Sequence, residues 1–376
     1  MIIYLIDLIK ELFSPPGIGV FTFITFRVAG AAITALIISV LFAKPIINKL
    51  KKSQLKEQYK EELSGIGTHL SKAGTPTMGG LIILLAVIIP TILWANIGNA
   101  FIVLIVISTL LLGGMGFLDD YLKVVKKYKK GLIGKYKLVG QIFVGLIVGA
   151  AIYFFPDLFG NNFENINTFT TVPFSKNINF DFGILYIPIV IFIIAGTSNA
   201  VNLTDGLDGL AIGTVGIVAL ALLLIAYITG HSEFADYLNI MYINGTAELT
   251  IFCAALVGGA LGFLWYNSYP AQVFMGDTGS LALGGSIGVL CVLLKKEFLL
   301  PILGGVFFVN TLSVIIQVAY FKYTKKKYGE GRRVFLIAPL HHHFEKKKIH
   351  ESKIVIRYYI VAVILAIITL ATFKIR

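Results

Sequence analysis

Phe101-Ile-Val-Leu-Ile-Val-Ile-Ser-Thr-Leu-Leu-Leu-Gly-Gly-Met-Gly-Phe-Leu-Asp119-Asp120 runs eighteen residues without a charge and then ends on two adjacent carboxylates. In lipid every backbone polar group must be paired within its own segment, so a core of ~30 Å is crossed by ~20 apolar residues in a helix. The stretch therefore reads as a transmembrane helix that delivers Asp119 and Asp120 to one membrane face. Nine further stretches read the same way. The ten spans fall near 19–43, 77–96, 101–122, 137–155, 184–203, 207–229, 249–266, 280–295, 299–321 and 354–373.

Composition supports this reading along the whole chain. Of 376 residues, 57% are apolar and 14% charged, where a soluble domain carries about 25% charged. A conventional soluble enzyme is excluded. The expectation is an all-α polytopic membrane protein with about ten transmembrane helices, forming a single integral-membrane domain over 1–376. Ahead of the first span, Asp7, Lys10 and Glu11 share one helical face against Ile2, Leu5, Leu8, Ile9 and Leu12, the pattern of a short interfacial helix. No basic n-region or small-residue cleavage site marks this stretch as a removable signal. Between spans four and five, Asn167–Phe174 and Asn177–Phe182 alternate across a polar turn and predict a small outside β-hairpin. Cys253 and Cys291 sit in apolar runs and support neither a disulfide framework nor a zinc site.

Charge divides the loops into two sets. Those following spans one, three, five, seven and nine hold 25 of the 32 Lys and Arg: seven in 44–72, seven in 123–137 and eleven in 322–357. The positive-inside rule makes this face cytoplasmic and puts both termini outside. Topology and attraction to anionic headgroups explain a basic face; a polyanionic substrate would explain it as well.

Polar chemistry collects in five clusters, nearly all where a span meets the basic face. Lys72-Ala-Gly-Thr-Pro-Thr-Met-Gly-Gly80 enters the second span. There Thr75 reads as an N-cap with Pro76 at the first helical position, while Lys72 before a helix N-terminus suits an anion. Gly113-Gly-Met-Gly-Phe-Leu-Asp-Asp120 closes the third span. Two carboxylates at a helix C-terminus oppose the macrodipole, so cations are needed nearby, either Lys123, Lys126 and Lys127 or a metal–phosphate unit. Asn199-Ala-Val-Asn-Leu-Thr-Asp-Gly-Leu-Asp-Gly209 joins spans five and six. Its structural reading makes Asp205 an N-cap with Asp208 at N3, which leaves Asn199 and Asn202 unexplained. Asn267 and the glycine-rich Phe274-Met-Gly-Asp-Thr-Gly-Ser280 open the eighth span, where Asp277 suits a hard metal ion with phosphate oxygens. The last cluster is Pro339-Leu-His-His-His-Phe-Glu345. Consecutive helical side chains point ~100° apart, so at most two of its imidazoles face one site.

These five clusters, in this order, resemble the phospho-N-acetylmuramoyl-pentapeptide-transferase family of bacterial peptidoglycan synthesis. That family lies within the polyprenyl-phosphate N-acetylhexosamine-1-phosphate transferases. The superfamily shares the paired aspartates and the Asn-x-x-Asn-x-x-Asp-Gly-x-Asp-Gly signature, and Pro-Leu-His-His-His-Phe-Glu points to the muramoyl-pentapeptide branch. The resemblance implies transfer of phospho-N-acetylmuramoyl-pentapeptide from its UDP nucleotide to undecaprenyl phosphate at the bacterial inner membrane. UMP would be released and lipid I formed. It implies Mg2+ as cofactor, membrane lipids and a homodimer as partners, and no nucleic acid. By matching motif positions, Asp119, Asp120, Asp277 and His341 are expected to be catalytic, with Asp277 holding the metal. Lys72, Asn202, Asp205, Asp208, Asn267 and Phe274 are expected at the uridine end, and Thr77, Lys135, Gln317, His342 and His343 as further substrate contacts.

Two other classes stay open on the residues alone. A secondary transporter would place ionisable groups in mid-span, and here the spans are nearly clean, with Arg27 in the first and the polar Asn310 and Gln317 in the ninth as the main exceptions. A sister transferase using UDP-N-acetylglucosamine shares most of the clusters.

Overall fold

The computed structural model describes all residues other than 14–16, 53–73, 129–130, 161–162, 176–177 and 375–376, with the side chains of Asp7 and Phe13 also left aside. Helices dominate, as an apolar chain in lipid requires. In chain order they are α1 (Ile2–Phe13), α2 (Ile24–Lys52), α3 (Gly80–Trp94), α4 (Ala100–Val124), α5 (Gly134–Phe154), α6 (Tyr186–Thr204), α7 (Leu210–Thr229), α8 (Ser232–Tyr237), α9 (Leu249–Asn267), α10 (Gly276–Leu293), α11 (Leu300–Leu303), α12 (Gly305–Tyr328), α13 (Leu340–Lys346) and α14 (Glu351–Ala371). Among the described residues nine helices are long and apolar enough to cross a membrane, and α3 is a shorter apolar helix of 15 residues. The hairpin forms as β1 (Phe169–Thr171) and β2 (Asn179–Asp181), antiparallel with Thr170 opposite Phe180.

Among the boundaries that differ from the sequence expectation, three bear on how the site is held. Thr75 caps no helix, because α3 starts only at Gly80. The preceding residues instead form an extended clip with the segment before α10. In that clip Phe274 N–H donates to Pro76 O, Gly79 N–H to Phe274 O and Gly80 N–H to Met275 O, each at 2.8 Å. Asp205 closes α6 rather than opening α7, whose N-cap is Gly209 at φ +80° with no side-chain cap. The ninth span breaks at Gly304 into α11 and α12, and α12 continues to Tyr328, beyond the expected end at 321.

At the centre stands α10, where every side chain from Thr278 to Leu293 is buried. Its neighbours include α3, α4, α6 and α7. Close approach is made possible by glycine: a Cβ on Gly80 would stand 2.1 Å from the Gly279 nitrogen, so these helices meet backbone to backbone. The far end of α10 leads into Lys295, Lys296 and Glu297, which are buried and grip the hairpin. Thr170 Oγ1 donates to Glu297 Oε2 at 2.5 Å, and Lys295 Nζ donates to Tyr186 Oη at 2.6 Å.

The charge inside the first span has a structural explanation. Arg27 makes a two-pronged pair with Glu248, Nη2–Oε1 2.7 Å and Nη1–Oε2 3.0 Å, and also donates to Trp94 O. No transport path is needed to account for it. Met1 and Lys374 both lie at this pole, away from the basic loops. The Met1 ammonium donates to Ile92 O, and Lys374 Nζ sits 3.9 Å from the Tyr237 ring centroid.

The pole assignment is tested by single cysteines, because native Cys253 and Cys291 are buried. Lys126 and Asn179 are both exposed, one beside α4's basic end and one in the hairpin. In intact cells a membrane-impermeant maleimide is expected to label Asn179→Cys and to spare Lys126→Cys until the membrane is opened. Labelling of both from one side would overturn the arrangement.

Candidate active site

The basic-pole end of α10 gathers three of the predicted clusters. One carboxylate oxygen from each of Asp119, Asp120 and Asp277 lies within 4.8 Å of the others. The three play different parts. Asp120 turns both oxygens to the first turn of α10: Asp277 N–H donates to Oδ1 at 3.1 Å, Thr278 N–H to Oδ2 at 2.9 Å and Thr278 Oγ1 to Oδ2 at 2.6 Å. A side chain of α4 thus caps another helix, satisfying orphan N–H groups and complementing the positive end of the dipole. Gly116, one turn earlier on α4, is required for the approach, since a Cβ there would stand 2.2 Å from Asp277 O.

Asp119 and Asp277 face each other across two ammonium groups. Lys123 Nζ is 2.6 Å from Asp119 Oδ2 and 2.6 Å from Asp277 Oδ2. Lys137 Nζ is 2.6 Å and 2.7 Å from the same oxygens. The remaining oxygens are also held: Leu132 N–H donates to Asp119 Oδ1, and Asn202 Nδ2 donates to Asp277 Oδ1, each at 2.6 Å. Asn202 also donates to Ser280 Oγ at 2.8 Å. Lys123, four residues after Asp119 on α4, was foreseeable as its partner. Lys137 was not anticipated. The expected Lys135 lies exposed on the first turn of α5 and outside the cluster, because one helical turn carries only one of this pair inward. Lys72 lies outside the described residues.

The other predicted residues form the walls. Thr77 is buried beside Gly276, where a Cβ would meet Thr77 Oγ1 at 2.9 Å and Asp120 Oδ2 at 2.7 Å. The 205–209 connection is tied on two sides. Asp208 N–H donates to Glu351 Oε1 at 2.6 Å, Ala271 N–H donates to Asp208 Oδ2 at 3.0 Å and Gly209 N–H donates to Asn267 Oδ1 at 3.1 Å. Asn267 also donates to Val273 O at 2.9 Å, one residue before Phe274, which is half-buried.

Opposite this connection lies α13. His341 is fully buried, its Nε2 2.3 Å from where a Cβ on Gly206 would sit, and neither ring nitrogen has a hydrogen-bond partner among the described residues. Burial first, then neighbouring His342, hold its pKa well below the usual imidazole range, with Glu345 opposing. His342 Nδ1 pairs with Glu345 Oε2 at 2.9 Å. His343 points elsewhere, accepting from Leu336 N–H at Nδ1. Two of three imidazoles therefore face one site, as helical geometry requires. Gln317 is a clamp rather than a member of the acid cluster: its Oε1 accepts from Val334 and Phe335 N–H and its Nε2 donates to Phe335 O.

The acid cluster and the basic rim thus share one pole of the bundle. The sequence profile of Glycosyl transferase family 4 matches residues 102–295, and phospho-N-acetylmuramoyl-pentapeptide-transferase signature 1 matches 72–84. Curated relatives of that name are 51% identical in Chloroherpeton thalassium, 51% in Chlorobaculum parvum and 49% in Salinibacter ruber, each aligned over 100% of both chains. The chain belongs to the phospho-N-acetylmuramoyl-pentapeptide-transferase family.

The division of labour among the aspartates is expected to show in stability. Asp120→Ala removes a cap and should lower unfolding stability by ~1–2 kcal/mol. Asp120→Asn keeps an accepting oxygen and should retain most of it. Thermal melting in detergent checks this, and equal melting of Asp120→Ala and the parent would contradict the cap.

His341 gives a pH signature. Folding holds it neutral, whereas the unfolded chain takes up a proton near pH 6.5. The unfolded state then binds more protons, so stability should fall as pH drops below about 6.5. His341→Asn should flatten this limb between pH 7.5 and about 5. An unchanged limb would assign the loss to other groups.

Proposed function

We propose that the chain transfers phospho-N-acetylmuramoyl-pentapeptide from its UDP nucleotide to undecaprenyl phosphate, releasing UMP and forming lipid I at the cytoplasmic face of the bacterial inner membrane. The observation that carries the reading is the acid cluster bridged by two lysines at the basic pole, in a chain of this family. One substrate is lipid-borne and the other a polyanionic nucleotide. Their reaction belongs where hydrocarbon meets water, and the position of the cluster at the basic-pole end of α10 supports that reading.

The phosphate oxygen of the carrier attacks the sugar-bearing phosphorus of the nucleotide. A P–O bond forms, the bond to the bridging oxygen breaks, and its electron pair leaves with UMP. Transfers of this kind depend mainly on positioning and charge neutralisation. A phosphomonoester with its second pKa near ~6 is already largely dianionic at neutral pH, so little base strength is required. Asp119 orients the attacking phosphate through Lys123 and Lys137, which bridge it to Asp277. Asp120 contributes indirectly, by fixing the backbone that carries Asp277.

The site also suits Mg2+. Three carboxylates within 4.8 Å are a hard-oxygen donor set, and the lysines already seated between them mark a position that favours positive charge. Asp277 and Asp119 would hold the ion, which would neutralise diphosphate charge. Asn202, Asp205, Asp208 and Asn267 frame the nucleotide end, with Phe274 positioned to stack on uracil and Thr77 beside the phosphates. His341, with both nitrogens unpartnered in a buried wall, donates to or accepts from the substrate.

The decisive measurement is UMP release by the purified protein with undecaprenyl phosphate and either UDP-N-acetylmuramoyl-pentapeptide or UDP-N-acetylglucosamine. The first is expected to turn over, the second to give negligible product. Chelation should abolish the reaction and Asp277→Asn should lower kcat by ~100-fold or more. Preference for UDP-N-acetylglucosamine would move the chain to the sister activity, and metal-independent turnover would remove Asp277 from its role.

A further inference from the structure

A sizeable cavity lies away from the acid cluster. It is an apolar groove of about 670 Å³ between the start of α12 and the flank of α14, floored by α13. Phe308, Val309, Val361 and Leu365 form its sides, and Leu340 and Phe344 its end. Its size falls in the range of ligand sites, ~300–1,000 Å³. On α14 the lining runs from Ile354 to Leu365, a rise of ~16 Å, about half of the ~30 Å hydrocarbon core. The groove therefore serves a single leaflet, the one on the basic side.

One lining residue is out of character. Arg357 is exposed in the groove and has no carboxylate partner among the described residues. Lys346, Lys347, Lys348 and Lys353, within two residues of lining residues Phe344, Ile349 or Ile354, are likewise exposed and without a carboxylate partner among the described residues. The nearby acids are engaged, Glu345 with His342 and Glu351 with the Asp208 backbone. An arginine at the edge of hydrocarbon seeks an anion or water with its head while its stem stays in apolar surroundings. An apolar slot one leaflet long, with an arginine in its lining that has no carboxylate partner among the described residues and with lysines flanking the lining residues in sequence, is complementary to an acyl chain beneath an anionic headgroup.

The reacting carrier does not fit this position. Leu207, Leu210, Ile354 and Val355 form a separate buried cluster, packed with Phe344, Ile349, Tyr358 and Tyr359. That cluster stands between the groove and the connection carrying Asp205 and Asp208, so a headgroup at Arg357 is walled off from the carboxylates. The geometry points to a resident anionic phospholipid of the basic-side leaflet, with its chain in the α12–α14 groove and its phosphate on Arg357. The lipid buttresses the back of α13, whose opposite side presents His341 and His342. It reaches the site a second way, through Tyr358, whose Oη donates to Asn310 Oδ1 at 3.3 Å while Asn310 Nδ2 donates to Thr204 Oγ1.

The site is independent of the nucleotide, so its test needs no turnover. The full-length protein is reconstituted in bilayer discs containing phosphatidylglycerol and phosphatidylcholine, and lipids retained per chain are read by native mass spectrometry. Phosphatidylglycerol is expected to be held in preference, and Arg357→Gln to reduce that preference about five-fold, the worth of one interfacial cation. Val361→Trp, which fills the groove, should release the bound lipid whatever its headgroup. Melting temperatures of both variants establish that they fold. Equal retention of the two lipids, or no response to Arg357→Gln, would reduce the groove to ordinary lipid contact. Displacement of the phosphatidylglycerol by equimolar undecaprenyl phosphate would make it a carrier site and overturn the assignment. A disulfide between two chains bearing Val361→Cys would assign the groove to a second copy.

Discussion

The first turn of α10 is the constraint on which the rest of the site depends. Three donors, the Asp277 and Thr278 N–H groups and Thr278 Oγ1, end on the carboxylate of Asp120. A helix opening inside a packed bundle has no water to satisfy its first N–H groups, and here α4 supplies the acceptor. Because the same turn carries Asp277, the geometry of the carboxylates is inherited from a cap. Gly116 and Gly80, which let α4 and α3 reach α10 at backbone contact, are part of the same device.

Charge balance follows from that placement. Bringing Asp119 and Asp277 to shared partners puts like charges together near hydrocarbon, which disfavours ionisation of both unless cations intervene. Lys123 and Lys137 intervene from two different helices. The site is thereby preorganised as an alternating array of acid and ammonium groups, which suits chemistry in which phosphate charge must be received without large rearrangement. The buried wall of α13 and the 205–209 connection keeps this array at one edge of the fold.

Most of the architecture was legible in the sequence because lipid leaves few options. Uncharged stretches of about twenty residues have to be helices, and among the described residues nine of them are long enough as helices to cross a membrane. What could not be read were features set by contacts between distant segments. Extended pairing of 76–80 with 274–275 delays α3, and local propensity at Thr75-Pro76 contains no trace of it. Asp205 looked like a cap because Asp often is one; the two-sided anchoring of 205–209 by Glu351 and Asn267 decided otherwise. Among the lysines, Lys123 was implied by i,i+4 spacing to Asp119, whereas choosing Lys137 over Lys135 needs the rotation of α5 about its axis. Motif positions identified Asp120, but only its partners reveal that it supports another residue.

The pairing of Arg27 with Glu248 has a consequence for how the protein is made. The two are 221 residues apart in sequence, so α2 leaves the ribosome long before its counter-ion exists. At ~5–20 residues per second of synthesis, that interval is on the order of ten to forty seconds. Throughout it, the guanidinium in the first turn of α2 is without its carboxylate and turns to water or headgroups at the membrane edge. Only when Glu248 emerges can the pair close, so this tie between α2 and the start of α9 is among the late contacts of the fold.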